Sequence, residues 1–333
     1  MVITKTPFRI SFFGGGTDYP EFYREHGGSV ITTTINKCCY VTARHIPRFF
    51  DYSIQLSYSK IENANAVDEI EHPAVRETIR LLDMRDLSVG YDADLPGRTG
   101  LGSSSAFVVG MLNAFNAIKG KYADKRKLAD DAIYIERTMC AEAGGVQDQI
   151  AVSFGGLNRI NFSEHGYTVD PIRMRHERRE ILNDNLMLFF TGISRISAQI
   201  AKSQQRSTRN KTAELTEMLT IVDEAERILE DSHADINEFG RLLDRTWQLK
   251  KGLTKEISND SIDEMYRTAL RAGALGGKLL GAGGGGFILL YVEKERQQAV
   301  RRALAPLLCV PFRFEYDGTR VMYYVPEEYR LND

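Results

Sequence analysis

Residues 2–13 are rich in β-branched and aromatic side chains and end in Gly14-Gly15-Gly16. That pattern predicts a strand running into a sharp turn. Residues 18–26 read as a short helix closed by Gly27-Gly28. Val-Ile-Thr-Thr-Thr-Ile followed by Tyr-Val-Thr-Ala predicts one or two strands over 30–45, and 52–58 alternates again. Val75, Ile79 and Leu82 repeat at helical spacing within 72–84. A further strand over 87–93 is stopped by Asp94-Leu95-Pro96-Gly97. Helices are expected over 103–118 and 124–139, then a short one between the glycine pairs 144–145 and 155–156, and a strand over 157–162.

The second half is patterned differently. An apolar strand over 185–190 precedes a largely helical stretch, 197–253, with polar breaks near Ser232-His233 and Asn237. Another helix is expected over 262–274. Gly-Ala-Gly-Gly-Gly-Gly at 281–286 leads into a strand at 287–292, a helix at 295–308 and a final strand pair within 312–325. Strands and helices mix without regular βαβ alternation, which points to an α+β fold. There is no internal repeat of solenoid length and no low-complexity tract. The charged run Pro171-Ile-Arg-Met-Arg-His-Glu-Arg-Arg-Glu suggests a break near 165–182, dividing the chain into domains at 1–170 and 171–333. Its arginines, Arg173, Arg175, Arg178 and Arg179, read as a solvated basic face.

The 333 residues suffice for two packed domains, and 43 basic against 45 acidic residues leave a formal charge of −2. That balance argues against a nucleic-acid or membrane-surface partner. Cys38, Cys39, Cys140 and Cys309 lack metal-site spacing and read as reduced thiols, so a cytoplasmic setting is expected. The first residues, Met-Val-Ile-Thr-Lys-Thr-Pro-Phe-Arg, do not have a signal-peptide pattern. The apolar run 106–118 is short of a bilayer span and reads as a buried helix.

The most informative segment is Asp94-Leu-Pro-Gly-Arg-Thr-Gly-Leu-Gly-Ser-Ser-Ser-Ala-Phe, where a strand runs into glycines and the glycines into a helix. Glycines let an anion approach the backbone, and a helix start presents free N–H groups to it. The segment is not a Walker A loop, because Ser103 stands where lysine belongs. Gly97, Gly100 and Gly102 also reverse the dinucleotide fingerprint. A plain glycine-serine turn before a buried helix is the competing reading. The second glycine-rich segment, Lys278-Leu-Leu-Gly-Ala-Gly-Gly-Gly-Gly-Phe, runs straight into a core strand, which implies close approach to a backbone or a ligand. Lys278 there either faces a ligand or solvates the loop. The third, Phe12-Phe-Gly-Gly-Gly-Thr-Asp-Tyr, follows a strand carrying Arg9.

Two carboxylates sit among apolar neighbours. Glu136 lies on or beside the stripe Leu128, Ala132, Ile135, Met139, and Asp148 follows the Gly144-Gly145 turn with Ala151 and Val152 one turn on. Each needs a partner: an arginine, a metal or a ligand. A structural ion pair for Glu136 and a helix-start charge for Asp148 are the alternatives.

Taken together, these segments resemble the GHMP kinases, which include galactokinases, homoserine kinases and mevalonate kinases. Pro7-Phe-Arg-Ile-Ser-Phe-Phe-Gly, Pro96-Gly-Arg-Thr-Gly-Leu-Gly-Ser-Ser-Ser-Ala and Lys278-Leu-Leu-Gly-Ala-Gly-Gly-Gly-Gly-Phe match that family's three motifs in order. Many members carry Gly-Glu-His after the first strand, where this chain has Gly14-Gly15-Gly16. Gly-Gly-Gly-Thr-Asp and the run from Glu136-Arg to Gly144-Gly-Val-Gln-Asp-Gln instead resemble the D-glycero-D-manno-heptose 7-phosphate kinase subgroup.

The resemblance implies a two-domain fold: an N-terminal domain like one of a small-subunit ribosomal protein, a ferredoxin-like C-terminal α/β domain, and an active site in the cleft between them. It implies ATP and Mg²⁺ as cofactors and a sugar-phosphate substrate, with a homodimer as a family-level expectation. By motif position, Asp148 matches the catalytic base and Arg9 a basic residue near the transferring phosphoryl group. Pro96, Gly97, Gly100, Leu101, Gly102, Ser103, Ser104 and Ser105 would wrap the ATP phosphates. Ser104 and Glu136 match the metal ligands. Gly15, Gly16, Thr17 and Asp18 would face the sugar, as would Gly144, Gly145, Gln147, Gly283 and Gly284. Arg195 is the candidate for the substrate's own phosphate, and a solvated arginine at a helix start is the alternative. The expected reaction is phosphorylation of the anomeric hydroxyl of the heptose 7-phosphate to give the 1,7-bisphosphate. A kinase for an unphosphorylated sugar such as fucose or heptose, or a non-catalytic sugar and ATP sensor, stands beside it.

Overall fold

The computed structural model describes residues 1–47, 49–193 and 197–326. Its strands are β1 (Val2–Phe13), β2 (Gly28–His45), β3 (Ile54–Ser57), β4 (Ile61–Ala64), β5 (Leu87–Ala93), β6 (Asn158–Ser163), β7 (Gly166–Pro171), β8 (Leu186–Phe190), β9 (Gly276–Leu279), β10 (Phe287–Tyr291), β11 (Leu308–Val310), β12 (Phe314–Glu315) and β13 (Arg320–Tyr324). Its helices are α1 (Pro20–His26), α2 (Pro73–Leu81), α3 (Ser103–Ile118), α4 (Lys125–Ile133), α5 (Gln147–Phe154), α6 (His176–Asp184), α7 (Ser197–Ser207), α8 (Thr212–Glu230), α9 (Asn237–Lys251), α10 (Asp260–Arg271) and α11 (Gln297–Ala303).

Two sheets organise the chain. The first has nine strands, ordered β13-β1-β2-β5-β3-β4 along its main path, with β12 and β6 also on β2 and β7 on β6. The second has four, ordered β11-β8-β10-β9, all antiparallel. The single long strand β2 covers the stretch 30–45, where one or two strands were expected. Its pairing with β1 shifts between Pro7/Cys38 and Phe8/Ile35. The bulge lets its first half pair with β6 and its second half with β5.

The last strands return to the first sheet: β12 pairs with β2 and β13 with β1. They do not pair with each other, so residues 1–170 alone do not complete that sheet. The charged segment near 165–182 is structured, holding β7 and α6. Arg178 lies partly buried and donates to the carbonyls of Ile228 (2.6 Å) and Ala234 (2.9 Å), and Arg179 stacks over Tyr316. Those two arginines brace the fold instead of forming a solvated face.

One apolar core joins the sheets. Phe12 and Phe13 of β1 meet Phe239 of α9 edge-on, at centroid distances of 5.2 and 5.0 Å. The apolar run over 106–118 is α3, buried on nearly all sides against β1 and β2. Asp124 caps α4 by accepting from Lys127 N–H, and Asn259 caps α10 through Ile262 N–H. The helix expected over 124–139 changes character at its end: Tyr134–Met139 is π-helical, and Cys140 N–H bonds Ile135 O. The wider turn carries Glu136 inward. All four cysteines are free thiols, and among the described residues no helix is long and apolar enough to cross a membrane.

Candidate active site

A cleft of about 350 Å³ opens between the sheets. Its floor is β1. Arg9 N–H donates to Leu101 O (3.0 Å), which pins the glycine-rich loop before α3 to that strand. The loop takes left-handed backbone at Arg98 (φ 61°), Gly100 (φ 84°) and Gly102 (φ 72°). Alternation of this kind turns successive N–H groups to one side and makes a concave anion cradle, completed by the N-terminus of α3. Glycine suits two of these positions, whereas Arg98 adopts a conformation uncommon for a side-chain-bearing residue. Gly97, Gly100, Gly102, Ser103 and Ser104 line the cleft. Pro96, Leu101 and Ser105 do not. Pro96 O accepts from Thr99 Oγ1 (2.8 Å), Leu101 is fully buried, and Ser105 Oγ donates to Glu136 Oε2 (3.1 Å).

The structure brings Arg9 and Asp148 together across 139 residues. Arg9 Nε and Nη2 donate to the two Asp148 oxygens, each at 2.7 Å, and Nη1 donates to Gly100 O (2.6 Å). This bidentate pair fixes both groups against the phosphate cradle. Arg9 is almost wholly buried while a quarter of the Asp148 side chain is exposed, so the carboxylate is the accessible member.

Asp18 lies beside them. Its carboxylate accepts from Gly16 N–H (2.9 Å) and Gln147 N–H (3.3 Å). Burial, reinforced by the nearby Asp148 charge, raises its pKa against the pull of those bonds. Gly145 makes the approach possible: a Cβ there would sit 1.8 Å from Asp18 Oδ2. Gly15, Gly16, Gly144 and Gln147 also line the cleft. Two lining residues carry buried oxygens with no protein hydrogen bond, Ser11 Oγ and Gln147 Oε1. Thr17 serves the fold instead, its hydroxyl donating to Gly14 O (2.8 Å) and Ser29 O (3.0 Å). Gly283 and Gly284 do not line the cleft. Gly283 packs on the Ile257 backbone and Gly284 N–H donates to Ile257 O (2.9 Å), while their neighbours Gly281 and Ala282 reach the cleft. Arg195 lies outside the described residues.

Glu136 is buried, and burial pushes its pKa up to about 7 against the opposing Arg137 charge. Its Oε2 accepts from Ser105, Gln149 and Arg137, whereas Oε1 has no protein partner. Glu136 does not itself line the cleft but meets the serine-rich helix start through Ser105, and a carboxylate with a free oxygen is a ligand type that suits a hard divalent cation. Ser104 lines the cleft and is exposed, so its hydroxyl is free to serve as a second oxygen donor.

Several cleft residues escape the sequence reading. Tyr58, His72, Tyr91 and Phe107 form an aromatic group at the cleft, with Tyr91 and Phe107 centroids 4.7 Å apart. They come from four separate segments, Tyr91 on β5, Phe107 on α3 and the other two in loops, and no local pattern joins them. Lys278 neither solvates its loop nor stands free: it is fully buried and donates to Phe12 O (2.8 Å). Lys250 is buried beside it and donates to Gly281 O. A signal for Lys250 was present, since it continues the stripe Phe239, Leu243, Trp247 on α9 at helical spacing.

Residues 64–156 match the family model of the GHMP kinases N terminal domain, and residues 221–307 that of the GHMP kinases C terminal. The chain is 29% identical over 317 residues to D-glycero-alpha-D-manno-heptose 7-phosphate kinase of Campylobacter jejuni, covering 90% of this chain and 92% of that protein. It is 25% identical over 340 residues to galactokinase of Pyrococcus furiosus, covering 91% and 92%. The solved structure of a D-glycero-D-manno-heptose 1-phosphate kinase from Bacteroides thetaiotaomicron matches it with a TM-score of 0.72 at 25% identity, covering 98% of this chain and all of that one.

Proposed function

Because this chain belongs to the GHMP kinases and is a phosphotransferase of their two-domain fold, we propose that it transfers the γ-phosphoryl of ATP to the anomeric hydroxyl of D-glycero-D-manno-heptose 7-phosphate. The product is the 1,7-bisphosphate. The observation that carries this reading is the shared position of three features in one cleft. An anion cradle, the Arg9–Asp148 pair and a polar pocket with Asp18, Ser11 and Gln147 stand side by side. A polyhydroxylated substrate would satisfy the unpartnered Ser11 and Gln147 oxygens, which a buried pocket otherwise leaves at a cost. Likeness to a heptose 7-phosphate kinase favours that sugar over others.

In this reading the loop N–H groups and the start of α3 hold the ATP phosphates. The aromatic group around Phe107 takes the base. Asp18 accepts hydrogen bonds from sugar hydroxyls and sets the acceptor's orientation. Each Asp148 oxygen gives one lone pair to Arg9 and keeps another, so the carboxylate can take the proton of the attacking hydroxyl. The sugar oxygen forms its bond to the γ-phosphorus as the bond to the bridging oxygen breaks, and that electron pair leaves with ADP. Arg9, held flat by Asp148, stabilises the charge spread over the phosphoryl oxygens. Ser104 and Glu136 would hold Mg²⁺, which when bound neutralises phosphate charge.

The test is ATP consumption with a panel of sugars and sugar phosphates, in magnesium and in EDTA. Magnesium-dependent turnover confined to heptose 7-phosphate supports the reading. Turnover with a free sugar keeps the kinase and replaces the substrate. ATP binding without turnover on any of the panel contradicts the reading and favours a sensor.

A further inference from the structure

Two buried lysine side chains border the cleft without a counter-ion. Lys250 and Lys278 are 5% and 1% exposed, and each Nζ has a backbone carbonyl as its partner, Gly281 O and Phe12 O respectively. Among the described residues neither lies within ion-pair distance of a carboxylate, in contrast to Arg9, which is paired on two nitrogens. A buried cation without a partner is costly, and a fold that keeps one at a binding cleft keeps it for an anion that arrives.

Of the two, Lys250 is the one that stays charged. Burial lowers its pKa only to about 8, whereas burial and the neighbouring Lys250 charge hold Lys278 well below the ordinary lysine range. Among the described residues, Lys250 also keeps two of its three N–H donors free of partners.

Its position identifies the anion. Gly281, whose carbonyl anchors Lys250, packs directly on Gly100 of the anion cradle: a Cβ on Gly281 would lie 2.4 Å from Gly100 Cα. Gly100 O in turn accepts from Arg9 Nη1, on the guanidinium that clamps Asp148. Lys250 therefore stands at the reacting end of the cleft, one backbone contact from the phosphate loop.

We propose that Lys250 is a further catalytic residue, donating from the second-domain wall to the oxygens of the transferring γ-phosphoryl group. Lys250 transfers no proton and forms no bond in the step; it supplies charge stabilisation alongside Arg9. The inference rests on the kinase reading but not on which sugar is the acceptor.

The experiment compares ATP and ADP affinities of the full chain by calorimetry, without sugar, for the wild type and Lys250→Met. Thermal melting checks that the variant is folded. The expected result is an ATP affinity weaker by about tenfold or more with ADP affinity unchanged, since a bond from a charged donor to the γ-phosphoryl exists only in the ATP complex. With an active acceptor, kcat should fall by about 10²–10³ while the KM of the sugar phosphate holds. Equal weakening of ATP and ADP, or none, overturns the proposal. So does a loss confined to the KM of a phosphorylated acceptor, which would assign Lys250 to the substrate's own phosphate. If the wild type phosphorylates no sugar in the panel, the acceptor reading fails by itself. The ATP and ADP comparison still decides the lysine.

Discussion

The two walls of the cleft handle charge in opposite ways. On the first-domain wall Arg9 clamps Asp148, and Asp18 is held by two backbone N–H groups. On the second-domain wall Lys250 and Lys278 stand buried on carbonyls alone. A matched wall is built before any ligand arrives and supplies geometry. An unmatched wall stores unfavourable charge, which a polyphosphate relieves, and so supplies electrostatic stabilisation where the reaction develops negative charge.

The largest effect should come from breaking the matched wall. Asp148→Asn should lower kcat by about 10²–10⁴ with ATP affinity retained, measured by steady-state kinetics and calorimetry. Loss of ATP affinity together with kcat would instead make Asp148 a nucleotide-binding group. On the same wall a smaller effect is expected of Gly145→Ala. Its Cβ would fall 1.8 Å from Asp18 Oδ2 and must displace that carboxylate. The KM of the sugar substrate should rise by about tenfold or more while that of ATP holds, because misplacing an orienting group by an ångström is enough.

The unmatched wall predicts a pH limb. Lys250 faces Arg9, Asp18 and Asp148, and its ammonium is lost as pH rises through about 8. The wild-type kcat/KM for ATP should therefore decline above that value, and Lys250→Met should lack the limb. The smallest effect concerns stability and has the opposite sign to the loss of activity. A lysine whose folded pKa falls from 10.5 to about 8 opposes folding at every pH below about 8, and the penalty fades as pH climbs to the unfolded value. Lys250→Met should raise unfolding free energy near neutral pH, read from urea titrations. A destabilised variant would mean that Lys250 braces the fold.

The same contrast explains what the chain disclosed. The strand–glycine–helix segment around Gly100 and the apolar helix α3 were readable because their signals are local. Glu136 and Asp148 stood out as carboxylates on apolar stripes. Their partners did not, since Arg9 lies 139 residues from Asp148 and Gln149 reaches Glu136 only because a π-helical turn redirects it. Gly283 and Gly284 misled for a related reason. Glycines that admit a ligand and glycines that admit another backbone leave the same mark in sequence, and these two admit Ile257. Lys250 carried the same stripe signal as Glu136, yet a lysine beside Lys251 near a helix end reads as a favourable last-turn charge. The charged run 171–180 read as a domain break and a solvated face because the carbonyls that its partly buried Arg178 bonds come from residues far along the chain.

The most direct test is phosphorus NMR of the reaction with ATP, magnesium and D-glycero-D-manno-heptose 7-phosphate. The account predicts ADP together with a second sugar phosphate resonance, split by the anomeric proton. ADP formed without that resonance, or an unchanged spectrum, would contradict it.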